Sequence, residues 1–157
     1  MKNSLLRRKQ NRGTDNLATP AEALIPLLKY LPKNIWECAT GEGKLADELE
    51  RHGHKVFRGY DFFIDNFPAE AIVTNPPFSL KTKFLERAYE LEIPFAFLLP
   101  ITALEGATRQ KLYRENGIDI IFLPKRIDFT GKKAPWFAVA WFVHKLKVPN
   151  SLNFPTL

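Results

Sequence analysis

The chain has 157 residues, 45% of them hydrophobic and 25% charged, with a formal net charge of +6, one cysteine and three histidines. That length supports one domain with a proper core, and that balance excludes a disordered polymer. The lone Cys38 excludes an internal disulfide and a cysteine-cluster metal site. The apolar runs fall short of a membrane span and no charged-then-apolar leader opens the chain, so a cytoplasmic protein with no membrane contact and no metal is expected.

Residues 1–18 show little hydrophobic periodicity and read as a mobile basic arm: Lys2, Arg7, Arg8, Lys9 and Arg12 give residues 1–12 a charge of +5. Residues 124–157 also carry +5, leaving the middle of the chain at −4. Two basic blocks flanking an acidic body fit contact with nucleic-acid phosphates, although a solvated tail explains the arm about as well.

Thr19, Pro20, Ala21 and Glu22 then form a capping box with proline at the first helical position, and Leu24, Leu27 and Leu28 supply an apolar face, predicting a helix to about Tyr30. Asn34 to Ala39 reads as a strand, Thr40-Gly41-Glu42-Gly43 as a turn, and Lys44 to Arg51 as a helix. Strand, glycine turn and helix in that order predict the first unit of a doubly wound α/β fold, whose ligands lie at the carboxyl ends of the strands. Two glycines do not make the dinucleotide fingerprint, which needs a third.

Lys55 to Asp61 is a further strand with Asp61 at its carboxyl end, where an acid suits a ribose diol or caps a turn. Ala71, Ile72, Val73 and Thr74 are a buried strand halted by Asn75, Pro76, Pro77 and Phe78, because neither proline can donate to a sheet ladder. The expected result is a rigid, water-facing ledge. Asn75 offers an amide oxygen there, the backbone offers carbonyls, and Phe78 offers a flat apolar face.

This Asn-Pro-Pro-Phe sequence after a hydrophobic strand resembles the catalytic motif of S-adenosylmethionine-dependent amino-methyltransferases, above all those that modify adenine N6 in DNA. Glu37-x-Ala39-x-Gly41-x-Gly43 is similar to the cofactor motif of that family, and the ledge follows Gly43 after 32 residues. The resemblance covers about Thr19 to Val143 and points to the short stand-alone enzymes often carried by phages. It implies a Rossmann-like class I methyltransferase fold with a mostly parallel sheet and an antiparallel last strand. It also implies that Asn75, Pro76, Pro77 and Phe78 are catalytic. Thr19 and Pro20 would lie near the methionine end of S-adenosylmethionine, with capping an equal explanation. Glu37 would attract the cofactor's amino group, Ala39, Gly41 and Gly43 would line it, and Asp61 with Phe62 would meet its ribose or adenine. Asp65 is a second candidate for that acid.

The chain departs from the family between Asp61 and Ala71. Nine residues cannot hold the helix, strand and helix expected there, though fully extended they can span roughly 30 Å. One edge strand and its helices are therefore expected to be missing.

Beyond the ledge, Ser79 precedes a helix over Leu80–Glu92, an apolar strand over 94–100, a turn over 101–106, a polar helix from Thr108 to Asn116, a strand over Ile118–Leu123 and a last strand over Trp136–Val143. The loop between the last strands mixes bases with aromatics, as needed to hold phosphates and stack on an extruded base. Ser79, Lys125, Arg126, Phe129, Lys132 and Lys133 are the nucleic-acid candidates, with Trp136 read either as a stacking residue or as core. Residues 19–147 form the domain and 148–157 a tail. The expected partner is DNA, with RNA possible, and the expected state is monomer or homodimer. Alternative readings are methyl transfer to RNA, to a cytosine amine or to a protein glutamine, and a non-catalytic domain that binds cofactor or nucleic acid.

Overall fold

The computed structural model describes residues 18–129 and 137–156. Seven strands form one sheet: β1 (Asn34–Trp36), β2 (Lys55–Phe57), β3 (Ala71–Thr74), β4 (Phe95–Pro100), β5 (Asp119–Phe122), β6 (Val139–His144) and β7 (Leu152–Asn153). Their order across the sheet is β2-β1-β3-β4-β6-β5-β7. The neighbours β1–β2, β1–β3, β3–β4 and β5–β7 are parallel, and β6 runs antiparallel between β4 and β5. Among the described residues three α-helices accompany them: α1 (Lys44–Arg51), α2 (Lys81–Leu91) and α3 (Ala107–Asn116).

Alternation along the strands divides the core between two faces of the sheet. Trp36, Ile72, Phe95, Phe97 and Phe142 pack beneath α2 with Phe84, Leu85 and Ala88. Ile35, Ala71, Val73, Ala96, Leu98 and Trp141 face the other way, against Leu45 and Leu49 of α1 and against Ala23, Leu24 and Leu27. Both faces are covered, which is why β3 and β4 are apolar at nearly every position.

The helix expected from Ala21 to Tyr30 does not form. In its place stand two 3-10 turns, Ala21–Ala23 and Leu28–Tyr30, and the Pro20 position that opens the first has no side-chain cap. Pro26 is the cause: inside an α-helix it would leave the Glu22 carbonyl without its partner and drive its ring against it. The break leaves the Ala23 carbonyl outside any helical ladder, since Leu27 N donates to Leu24 O instead. The indole Nε1 of buried Trp141 donates to Ala23 O at 2.7 Å.

The connection from β2 to β3 holds neither strand nor helix, so β2 is an edge of the sheet, as the shortened sequence predicts. Aromatic side chains take over the covering role. Phe62 stacks on Phe84 at 4.8 Å, and Phe67 packs on Phe57, Tyr60 and Trp36. Arg87 of α2 pins the loop by donating Nε to Phe62 O (3.2 Å) and Nη2 to Asp65 O (3.1 Å). At the opposite edge the segment read as a tail contributes β7, anchored where Asn153 Nδ2 donates to Ile120 O (3.1 Å). No helix among the described residues is long and apolar enough to cross a membrane.

Candidate active site

The parallel strands β1 and β3 are neighbours, so the glycine turn after β1 and the ledge after β3 emerge side by side at one end of the sheet. Between them lies Glu37, only 1% exposed, with Thr74 fully buried opposite. The Thr74 hydroxyl donates to Glu37 Oε1, which also accepts the Ala39 amide (3.0 Å), while the Thr40 hydroxyl donates to Glu37 O (3.0 Å). Burial raises the Glu37 carboxyl to about 7, and the bonds from Thr74 and Ala39 and the charge of Arg58 hold it from rising further.

The turn itself needs glycine for two separate reasons. Gly43 has φ +83°, opens α1 and accepts from Asp47 N (2.8 Å). A Cβ there would also lie 3.1 Å from a guanidinium nitrogen of Arg58, which pairs with Asp47 (2.8 Å) and Glu50 (3.0 Å). Gly41, at φ +54°, faces open space, with Ala39 O nearest at 4.0 Å. Of the two, only Gly41 has no crowding neighbour. Thr19 and Pro20 lie against α1, lining with Lys44, Asp47, Glu48 and Arg51 a shallow cleft of about 250 Å3.

Asp61 and Asp65 close a small turn on each other: Asp61 N donates to Asp65 Oδ2 (2.5 Å) and Phe63 N to Asp61 Oδ1 (3.0 Å). Phe62, expected beside the cofactor, is instead fully buried between Trp36, Phe84 and Phe97. With no strand or helix following β2, that ring is needed to fill the core.

The ledge is less open than expected. Asn75 is half-buried with Oδ1 turned inward, and Pro76, Pro77 and Phe78 are buried. Phe137 covers Phe78 edge-on at 5.7 Å and stacks on Phe129 at 5.8 Å, so Phe137 sits on the ledge with Phe129 behind it. Lys81 Nζ donates to Phe78 O (3.1 Å). Ser79, Lys125 and Arg126 are exposed, and Lys125 pairs with Glu22 at 3.1 Å. Lys132, Lys133, Trp136 and the bases of residues 1–12 lie outside the described residues.

Four residues at this site escape a reading of motifs. Thr74 counts there only as the end of a strand, although a polar residue at the close of a buried run needs a partner. Arg58 and Lys81 are ordinary surface bases by sequence, and Phe137 gives no signal apart from its aromatic neighbours. Among the described residues no group of three or more His, Cys, Asp or Glu side chains is placed to hold a metal ion.

No protein-family model matches the chain, and no curated protein does. Solved structures do. The modification subunit of a putative type I restriction enzyme from Vibrio vulnificus YJ016 superposes with a TM-score of 0.58 at 12% identity, over 87% of this chain and 46% of that one. A putative RNA methyltransferase from Pyrococcus horikoshii gives 0.54 at 17% identity, over 88% of this chain and 94% of that one. Protein 1320 of Thermoplasma acidophilum gives 0.50 at 16% identity, over 92% and 97%. The chain thus spans about half of the modification subunit and nearly all of the other two. At such identities the likeness is one of fold: this chain has a Rossmann-like α/β fold, mostly parallel with one antiparallel strand, of the kind carried by a restriction-enzyme modification subunit and an RNA methyltransferase.

Proposed function

We propose that this chain is an S-adenosylmethionine-dependent methyltransferase acting on the exocyclic amine of adenine in DNA, with the target base flipped out or already unpaired. The observation that carries this reading is the adjacency of β1 and β3. It sets the glycine turn and the Asn75-Pro76-Pro77-Phe78 ledge side by side, joined through Glu37 and Thr74. The names of two fold neighbours support the same class of chemistry.

The residues present fit the cofactor. Glu37 is a buried carboxyl beside a glycine, Gly41, that leaves open space, which suits the close approach of a cationic amino group. Ala39 and Gly43 belong to the same turn, and Thr19 and Pro20 lie against α1, the helix that the turn opens. Asp61, with Oδ1 already accepting from Phe63 N, would meet a ribose diol through Oδ2. S-adenosylmethionine supplies an electrophilic methyl on a sulfonium sulfur.

The chain's part is to present the amine. Asn75 Oδ1, once turned out from its buried position, and the Pro76 carbonyl would accept the two amino hydrogens, directing the nitrogen lone pair at the methyl. Phe78 would stack on the base, an interaction worth roughly 1–3 kcal/mol, once Phe137 has swung off it. The new N–C bond would form as the methyl's bond to sulfur breaks, its electron pair staying on sulfur to leave a neutral thioether, and one amino proton would pass to water. Positioning and fixed dipoles would supply most of the rate. Ser79, Lys125, Arg126, Lys132 and Lys133 would hold phosphates, and Phe129 would back the extruded base.

The test is transfer of isotope-labelled methyl to unmethylated DNA and, in parallel, to RNA, with the modified base identified by mass. Label on DNA adenine, falling at least about a hundredfold in Asn75→Ala, is expected, in line with the loss of a group that orients the reacting atom. Label on RNA alone, or on neither polymer despite cofactor binding, would overturn the proposed substrate.

A further inference from the structure

We infer that Thr74 is a positioning residue: its hydroxyl ties the cofactor turn to the catalytic ledge through Glu37, so that the charge of Glu37 and the placement of Asn75 are set together. This deepens the reading above and rests on it. The ladder between β1 and β3 consists of only two paired positions, Ile35 with Ala71 and Trp36 with Ile72. The pairing of β1 with β3 stops there, while Glu37 N continues the ladder on the other side of β1, donating to Phe57 O of β2 at 3.0 Å. The bond from Thr74 to Glu37 Oε1 therefore spans the two strands where the ladder has ended. It lies where each strand hands over to its functional loop: Glu37 heads the glycine turn, and Thr74 is bonded directly to Asn75.

Both groups are cut off from water, with Thr74 fully buried and Glu37 at 1% exposure, so the hydroxyl is one of very few donors the carboxylate has. The second donor on Oε1 is the Ala39 amide of the turn itself, and the nearby charge is Arg58, held in turn by Asp47 and Glu50 of α1. Cys38, the other titratable neighbour, is buried, and its thiol is pushed well up, chiefly by desolvation and then by Glu37. Removing a donor from an anion so enclosed favours the neutral acid. A cation brought to the turn then has less charge to meet.

The deciding experiment compares Thr74→Val, which keeps the shape and loses the hydroxyl, with Thr74→Ser, which keeps the hydroxyl. Two readouts are taken across the neutral pH range. One is S-adenosylmethionine affinity by calorimetry. The other is protonation of Glu37 in the cofactor-free protein, read from the infrared band of its carboxylic acid and assigned by its absence in Glu37→Gln. In Thr74→Val the protonation midpoint should move upward and affinity at neutral pH should fall roughly tenfold, the size expected for losing a hydrogen bond to a charged group. Affinity should recover as pH rises, and Thr74→Ser should match the parent in both readouts. An unmoved midpoint, or an equal loss of affinity at every pH, would make Thr74 a packing residue and overturn the inference. If the parent binds no cofactor at any pH the proposed function fails, while the infrared titration still decides the role of Thr74.

Discussion

Phe137 stands edge-on to Phe78, the two rings 5.7 Å apart and at 88° to one another. The only aromatic of the ledge is thus covered, at 8% exposure, by a residue just ahead of β6. Access to the Phe78 face is therefore linked to the placement of Phe137. Phe78→Leu keeps most of the volume and loses the flat face, so kcat/KM for the nucleic acid should fall by roughly tenfold to a hundredfold, the value of one stacked base. Cofactor affinity should hold. Steady-state kinetics beside calorimetry would check this, and a matching loss of cofactor affinity would count against a stacking role.

Glu37 makes stability depend on pH in a direction opposite to that of most carboxylates. Its folded-state value of about 7 lies above the ordinary 4.5. The folded protein therefore binds its proton more tightly than the unfolded chain does. The contribution is fully present below about 4.5 and is lost as pH rises through about 7, a change on the order of 3 kcal/mol. Denaturant unfolding at about pH 5 and about pH 8 should show the cofactor-free protein weaker at the higher pH, and Glu37→Gln should flatten that difference.

The two glycines of the turn should respond differently to alanine. Gly43→Ala meets both a left-handed φ of +83° and the Arg58 guanidinium at 3.1 Å, so it should cost stability by more than the roughly 1–2 kcal/mol of the backbone strain alone. Gly41→Ala carries the strain without a crowding neighbour. Its stability loss should stay within that range, and a cofactor affinity that drops further than stability does would mark Gly41 as a point of ligand approach. Thermal unfolding and calorimetry on both variants separate the two.

Trp141→Phe should cost about 1–3 kcal/mol, because the buried Ala23 carbonyl would lose the indole donor at 2.7 Å. Urea unfolding measures it. An unchanged midpoint would mean that water reaches the Ala23 carbonyl.

From Asn34 to His144 the sequence alone carried the order of strands and helices, because that order follows from local patterns. Ala71–Thr74 is apolar at each step until Thr74 and ends at two prolines, and Phe95–Pro100 is a run no surface strand would tolerate. The short span between Asp61 and Ala71 could hold no further strand and helices on length alone. The absence of an edge strand was legible in the same way.

Local patterns were misleading where a distant partner decides. Residues 21–30 have the apolar spacing of a helix, yet Pro26 breaks it and Trp141, 118 positions away in sequence from Ala23, supplies the hydrogen bond that makes the break tolerable. A two-residue strand such as Leu152–Asn153 has too few positions to show a period, and it exists because β5 offers an edge. The aromatic plug of Phe62 and Phe67 replaces missing elements that no motif describes.

The motif residues of the candidate site could be named from the sequence, since strand ends and glycine turns are local. Their relations could not. That Glu37 is buried and shares Thr74 with the ledge, that Gly43 is hemmed by Arg58, and that Phe78 lies under Phe137 all depend on which strand ends the sheet sets side by side. Burial and pairing are properties of the packed chain, and they set the charge of a carboxyl and the exposure of a ring.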